Sequence, residues 1–305
     1  MSVSVLRERM ERCGGFWCRN GLGAAILTGI EAALWDLKGK LLNKPAYQLL
    51  LEATSSKAVH SRLAAYATGG PSNYPPSQLL KKIDHYLSLG FKNFKIGAGY
   101  LADELTPTDK EDSSSDNDEG INVARSKSAL TPAAIVEQER EKFRLMREHV
   151  GPSVGIAMDA HMANRQPGSV CWDAETALAI CQAIEPYRPL FLEEPLPYED
   201  VEGYALLSRS TPVPIAGGEC LTSVGEFALF ANALDICQPD AAFTTGMLGC
   251  VQVSRLFAGK QLAFHSWGAG GRRSRSKCSC DVSSLLPLLF SLDKDEPRHH
   301  RSHHY

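Results

Sequence analysis

Apolar positions along this chain fall into short continuous runs, separated by stretches in which they recur every three or four residues. Such runs closed by a turn residue read as buried parallel strands, and the recurring pattern reads as amphipathic helix. Residues 1–20 are mixed and give no clear element. Thr28-Gly-Ile-Glu31 spells a capping box, with Ile30, Leu34, Leu37 and Leu41 on one helical face that ends before Pro45. A short helix over 46–51 follows, then a strand over 61–67 closed by Gly69-Gly70, a helix over 77–89 and a strand over 91–96. Thr131-Pro132 starts a helix that carries Phe143, Met146 and Val150 along one face and stops at Gly151-Pro152. Beyond it, strands over 154–159, 189–193, 213–217, 235–239 and 261–265 alternate with helices over 174–185, 199–209, 224–233 and 249–258. Strand–helix alternation with short loops predicts a parallel sheet of the α/β class. Counted from Leu63 there are about seven strands, one short of a closed TIM-like barrel.

Two regions break the rhythm. Residues 103–120 are acidic and serine-rich, and an insertion at about 101–130 is expected to be disordered. Its Asp116-Asn-Asp-Glu-Gly120 partly spells a calcium loop, but the closing position is Ser126, which favours a solvated loop. After Gly271, the basic run 272–280 and the histidine-rich 298–305 show no usable periodicity. An unstructured tail is expected over 272–305, ahead of a nuclear address or a histidine metal site.

Composition narrows the class. With 305 residues, 44% hydrophobic and 22% charged, the chain is that of a soluble globular protein. A net charge of -3 argues against a nucleic-acid partner. No apolar run has the length of a membrane span, and the N-terminus lacks the apolar core of a signal peptide, so no membrane partner is expected. Nine cysteines without a C-x-x-C pair suit free thiols in a reducing compartment, and a cytoplasmic location is expected.

The chemistry gathers at strand ends. Val154–Asp159, Leu190-Phe-Leu-Glu193-Glu194-Pro195 and Pro214-Ile-Ala-Gly-Gly-Glu219 are apolar runs that stop in carboxylates. The C-terminal edge of such a sheet is where ligands bind. Three carboxylates in register make a hard-cation site, the alternative being that each caps the following helix. The next two strands end in Gln238-Pro-Asp240 and Phe264-His265-Ser-Trp267. His265 is either a core imidazole capped by a carbonyl or a base with a pKa near neutrality, which Asp240 would orient. Lys95 either reaches solvent or presents a fixed positive charge. Asp159 and His161 share one side of an extended segment.

Taken together, the stretch Gly29–Lys40, the trio Asp159, Glu193 and Glu219, and the pair Asp240 and His265 resemble the enolase superfamily, in its mandelate racemase/muconate lactonizing branch. The resemblance covers about residues 28–271 without the insertion. It implies a modified (β/α) barrel over 59–271 under an α+β capping domain, of which 1–58 would be the remaining helices. It also implies one Mg²⁺ on Asp159, Glu193 and Glu219, with Glu194 in support. The second strand of this family often carries Lys-x-Lys. Lys95-Ile-Gly97 lacks the second lysine, so two-base racemisation is not expected. Asp159-Ala-His161 and the run Glu185–Pro195 resemble the galactonate and mannonate dehydratases. That likeness implies His265 as base at C2, His161 as general acid for the departing hydroxyl, and Lys95 near the substrate carboxylate. The reaction would be dehydration of a sugar acid to a 2-keto-3-deoxy acid. A one-base epimerase or cycloisomerase, and a non-catalytic member with a retained metal site, are the alternatives. The family's strands ahead of the Gly-Ile-Glu helix and its eighth barrel strand have no counterpart here, so truncation at both ends is expected. An uncovered barrel edge would gain from homo-oligomerisation.

Overall fold

The computed structural model describes residues 2–55, 65–68, 75–99, 130–163, 171–242, 246–258 and 260–262. The expected insertion (apart from Leu130), the expected tail and His265 lie outside them. Six parallel strands form one sheet in strict chain order: β1 (Asn93–Gly97), β2 (Gly155–Asp159), β3 (Leu192–Glu193), β4 (Ile215–Gly217), β5 (Ile236–Cys237) and β6 (Gln261–Leu262). Helix α4 (Pro76–Ser88) leads into β1. The crossovers are α5 (Pro132–Val150), α6 (Ala174–Ile184), α7 (Val201–Ser210), α8 (Val224–Leu229) and α9 (Gly246–Leu256). The expected α/β fold with a parallel sheet is therefore present. Of the strand expected over 61–67, Ala67 makes a parallel bridge to Phe94, and 61–64 lie outside the described residues.

The crossover helices start where their caps dictate. Thr131, Asp173, Asp200 and Ser223 each accept a backbone N–H three residues on through the side chain, which satisfies a donor that the first helical turn leaves open. At α8 the Glu226 carboxylate also accepts the Thr222 N–H at 2.9 Å and the Ser223 hydroxyl at 3.0 Å.

Period-two alternation divides the sheet into two faces. Ile156, Met158, Leu192 and Ile215 pack against the helices with Phe143, Ile180, Leu207 and Phe227. Ala157, Phe191, Ala216 and Ile236 form a smaller cluster on the opposite face, with Tyr66 against it. Asp159 lies two residues beyond Ala157 and Glu193 two beyond Phe191, so both carboxylates continue that second face at the C-terminal sheet edge. Lys95 is the register partner of Ala157. One face thus builds the core and the other aims charge at the strand ends.

Upstream of the sheet the structure departs from expectation in three respects. Most of the first 20 positions are helical: α1 spans Val3–Gly14, followed by a 3-10 turn over Gly15–Cys18. Helix α2 spans Gly21–Leu42, so Thr28 sits inside it, where its hydroxyl bonds the Ala24 carbonyl at 3.1 Å and caps nothing. The buried face of α2 is Ala24, Leu27, Thr28, Glu31 and Trp35, whereas Ile30, Leu37 and Leu41 are 41%, 54% and 75% exposed. The leucine stripe predicted the wrong face because Glu31 carries the inward contact. Its carboxylate accepts Trp35 Nε1 and Arg7 Nη1, both at 3.1 Å, and the Leu248 N–H at 2.9 Å in the first turn of α9. A carboxylate at a helix N-terminus satisfies an open N–H and the positive end of the helix dipole. Gly246, with φ +68°, allows the approach, since a Cβ there would stand 2.6 Å from Glu31 Oε2. Helix α3 (Ala46–Thr54) completes this second core through Leu49 and Leu50, beside Trp35 and Val251. Among the described residues, no helix is long and apolar enough to cross a membrane, and the cysteines are free thiols.

Candidate active site

Register alone brings the first two carboxylates together: Asp159 pairs with Glu193 across β2 and β3. Glu219 follows β4 by two residues, after Gly218 at φ +121°. Asp159, Glu193, Glu194 and Glu219 are all buried, and so is Lys95. The Lys95 ammonium lies between two of them, 2.6 Å from Asp159 Oδ2 and 2.5 Å from Glu193 Oε1. Lys95 therefore faces these protein carboxylates and not solvent. Burial alone would lower its pKa, but Asp159 and Glu193 outweigh burial and hold it well above the ordinary lysine value.

One lysine does not balance this much buried acid. Burial, then the charge of Asp159, push the Glu193 carboxyl up to about 7 against the opposing pull of Lys95 and Gln238. Burial, with Asp159 and Glu193, pushes Glu219 up to about 8. Burial and Glu219 raise Glu194 well above the carboxylate range. A pocket of hard oxygen donors with excess negative charge suits a hard divalent cation. Asp159, Glu193 and Glu219 offer oxygen donors of the kind such a cation takes. Among the described residues, the group whose ligand atoms lie within 4.8 Å of one another is Glu194, Glu219 and the exposed Cys220, which shares only Glu219 with the expected trio.

His161 stands at the mouth, its side chain 35% exposed and its Nε2 3.2 Å from Asp159 Oδ2. The reason differs from simple strand alternation. Strand β2 ends at Asp159, and His161 has φ +54°, a left-handed turn in which its own N–H donates to Asp159 Oδ1 at 3.2 Å. Asp240 is buried beyond β5 and accepts the Ala242 N–H at 2.7 Å through Oδ1. Its expected partner His265 lies outside the described residues.

Three supporting residues carried no role in the sequence. Gln238 donates to Glu193 Oε2 at 2.8 Å, so Lys95 and Gln238 hold both oxygens of that carboxylate. Its position two before Asp240 on an alternating segment was the available signal. Glu139 and Lys142 on α5 are buried and fasten the backbone after β1: Glu139 accepts the Gly99 N–H at 2.7 Å, and Lys142 donates to the Gly97 carbonyl at 2.6 Å and to that of Gly99. A lone Glu-x-x-Lys on a helix gives no hint of this, because such pairs ordinarily lie in solvent.

Comparison with known proteins gives the family. Residues 78–304 match the family described as enolase C-terminal domain-like. The D-galactonate dehydratase of Xanthomonas campestris pv. campestris (strain B100) is 30% identical over 264 residues, which cover 86% of this chain and 58% of that protein. The D-galactonate dehydratase of Cronobacter sakazakii is 31% identical over 245 residues, 80% of this chain and 54% of that protein. The chain thus spans little more than half the length of the curated relatives it matches. The 3,6-anhydro-D-galactonate cycloisomerase from Zobellia galactanivorans superposes with a TM-score of 0.66 at 26% identity, over 87% of this chain and 62% of that one. The L-talarate dehydratase from Polaromonas sp. JS666, complexed with Mg and L-glucarate, gives 0.62 at 25% identity over 86% and 62%. This chain belongs to the enolase C-terminal domain-like family of the enolase superfamily.

Proposed function

We propose that this chain carries a Mg²⁺-assisted acid–base site that eliminates water from a sugar acid. The observation that carries the reading is the buried carboxylate pocket around Lys95 with His161 at its mouth; the two dehydratase relatives supply the substrate class. Asp159, Glu193 and Glu219 would hold the cation, which when bound supplies positive charge where the substrate carboxylate becomes more negative. Lys95 adds a fixed positive charge beside it. His265, oriented by Asp240, takes the proton from C2, the carbon next to the carboxylate. The electron pair of that C–H bond forms the C2–C3 double bond as the C3–O bond breaks, and His161 gives the departing hydroxyl its proton. The resulting enol tautomerises to a 2-keto-3-deoxy acid. A cytoplasmic enzyme acting on aldonic acids fits this chemistry. Likeness to the anhydro-galactonate cycloisomerase, together with the missing second lysine, supports one-base isomerisation as the second reading.

The test is a screen of aldonic and aldaric acids with the 305-residue chain, following 2-keto acid release with and without EDTA. Release that stops on chelation and falls by about 100-fold or more in His161→Asn supports dehydration. Turnover indifferent to EDTA, isomer formation without keto-acid release, or no turnover of any acid with Mg²⁺ present overturns it.

A further inference from the structure

We infer that Tyr198 is a positioning residue for the carboxylate site, its hydroxyl fixing the end of β3 against the end of β4. The hydroxyl donates to Glu194 Oε1 at 2.7 Å and accepts the Gly218 N–H at 2.5 Å. Glu194 directly follows the proposed ligand Glu193, and Gly218 directly precedes the proposed ligand Glu219. One oxygen atom thus ties together two backbone segments that each carry a ligand.

Both segments need the tie. Glu194 has φ +46°, a left-handed conformation that a glutamate adopts only under constraint. Gly218 has φ +121°, and a Cβ there would meet Phe227 Cε1 at 2.6 Å, so only glycine turns the chain at this point. The ladder between β3 and β4 has Glu193 opposite Ala216 as its last register pair and the Glu194 N–H to the Ala216 carbonyl, at 3.0 Å, as its last bond; beyond it the Gly218 N–H and the Glu194 side chain meet at Tyr198. The Tyr198 ring is held in place by stacking on Tyr204, with centroids 5.9 Å apart, and by an edge contact to Phe230 at 5.4 Å. Its hydroxyl is therefore a fixed post. It also engages one oxygen of Glu194, a buried carboxylate close to Glu219. Outer partners of this kind orient ligating carboxylates, and their loss weakens a metal site by about 10- to 100-fold.

The inference rests on the metal reading above, and the test separates the two. Mn²⁺ binding to the full chain is titrated by electron paramagnetic resonance in wild type, Tyr198→Phe and Tyr204→Phe. Tyr204→Phe removes a hydroxyl from the same stack, but that hydroxyl bonds the Leu196 carbonyl at 2.7 Å and touches neither strand end. The expected result is a Kd raised about 10- to 100-fold in Tyr198→Phe and unchanged in Tyr204→Phe, whatever each does to the metal-free melting temperature. An unchanged or lowered Kd in Tyr198→Phe, or an equal rise in Tyr204→Phe, overturns the assignment while leaving the metal reading intact. Absence of Mn²⁺ binding in wild type overturns both.

Discussion

Replacing Lys95 with methionine keeps most of the apolar stem and deletes the charge, so it isolates what the ammonium does. In the native fold that ammonium lies 2.6 Å from Asp159 and 2.5 Å from Glu193, all three buried. Removing one member of a buried ion cluster costs about 3–5 kcal/mol, because the remaining charges are left without water or counterion. The cheapest relief is for one carboxylate to take up a proton. Glu193 is the candidate, since its carboxyl already stands at about 7 against an ordinary value of 4.5. The folded variant then keeps this proton as pH rises through and above about 7, where folded wild type loses it, while the unfolded chains keep ordinary carboxylates. By linkage, one extra proton in the folded state lowers stability by about 1.4 kcal/mol for each unit of rising pH. The penalty of Lys95→Met is therefore expected to be about 1.4 kcal/mol larger at pH 8 than at pH 6, because the wild-type carboxyl titrates at about 7, between the two. Urea unfolding of both chains in EDTA, followed by tryptophan fluorescence at the two pH values, measures the difference directly. An equal penalty at both values would mean that Lys95 stabilises by packing, and the electrostatic account would be refuted.

Two further outcomes are expected. Trp35→Ala, at a side chain with no exposure that also donates to Glu31, should cost about 3–5 kcal/mol, whereas Leu41→Lys should change stability by less than about 0.5 kcal/mol; thermal melts that reverse this ranking would turn the leucine stripe inward. Because Glu193 and Glu219 are raised to about 7 and about 8, each is protonated below those values and a cation must displace the proton. Mg²⁺ affinity by calorimetry should therefore rise from about pH 6 to about pH 8.5, while metal-free stability, fully present below about pH 4.5, declines as pH climbs through 7 to 8. An affinity that is flat or falls over that range contradicts the assignment of these carboxylates as ligands.

Much of the sheet and the acidic strand ends is legible in the amino-acid sequence, because both rest on local patterns. An apolar run that stops at Asp159 or at Glu193 is a strand with a charged tip whatever surrounds it, and caps such as Asp173 and Ser223 act within four residues of themselves. The two faces of the sheet follow from period two, which puts Asp159 and Glu193 together once β2 and β3 pair.

What only the tertiary structure decided depends on contacts between distant segments. The outward face of α2 carries leucines because Glu31 and Trp35 take the inner one, and the partner that makes Glu31 an inward residue is Leu248, more than two hundred positions away. Lys95 has no sequence neighbour that reveals whether it meets water or acid; its place among the carboxylates comes from the pairing of β1 with β2, opposite the small Ala157. His161 reaches Asp159 through a left-handed turn that alternation does not foresee. Tyr198 joins two strand ends that are adjacent only after folding. Local pattern therefore determined which residues could be catalytic, and long-range packing decided how their charges meet, because the energy of a buried carboxylate depends on what the fold places within a few ångströms of it.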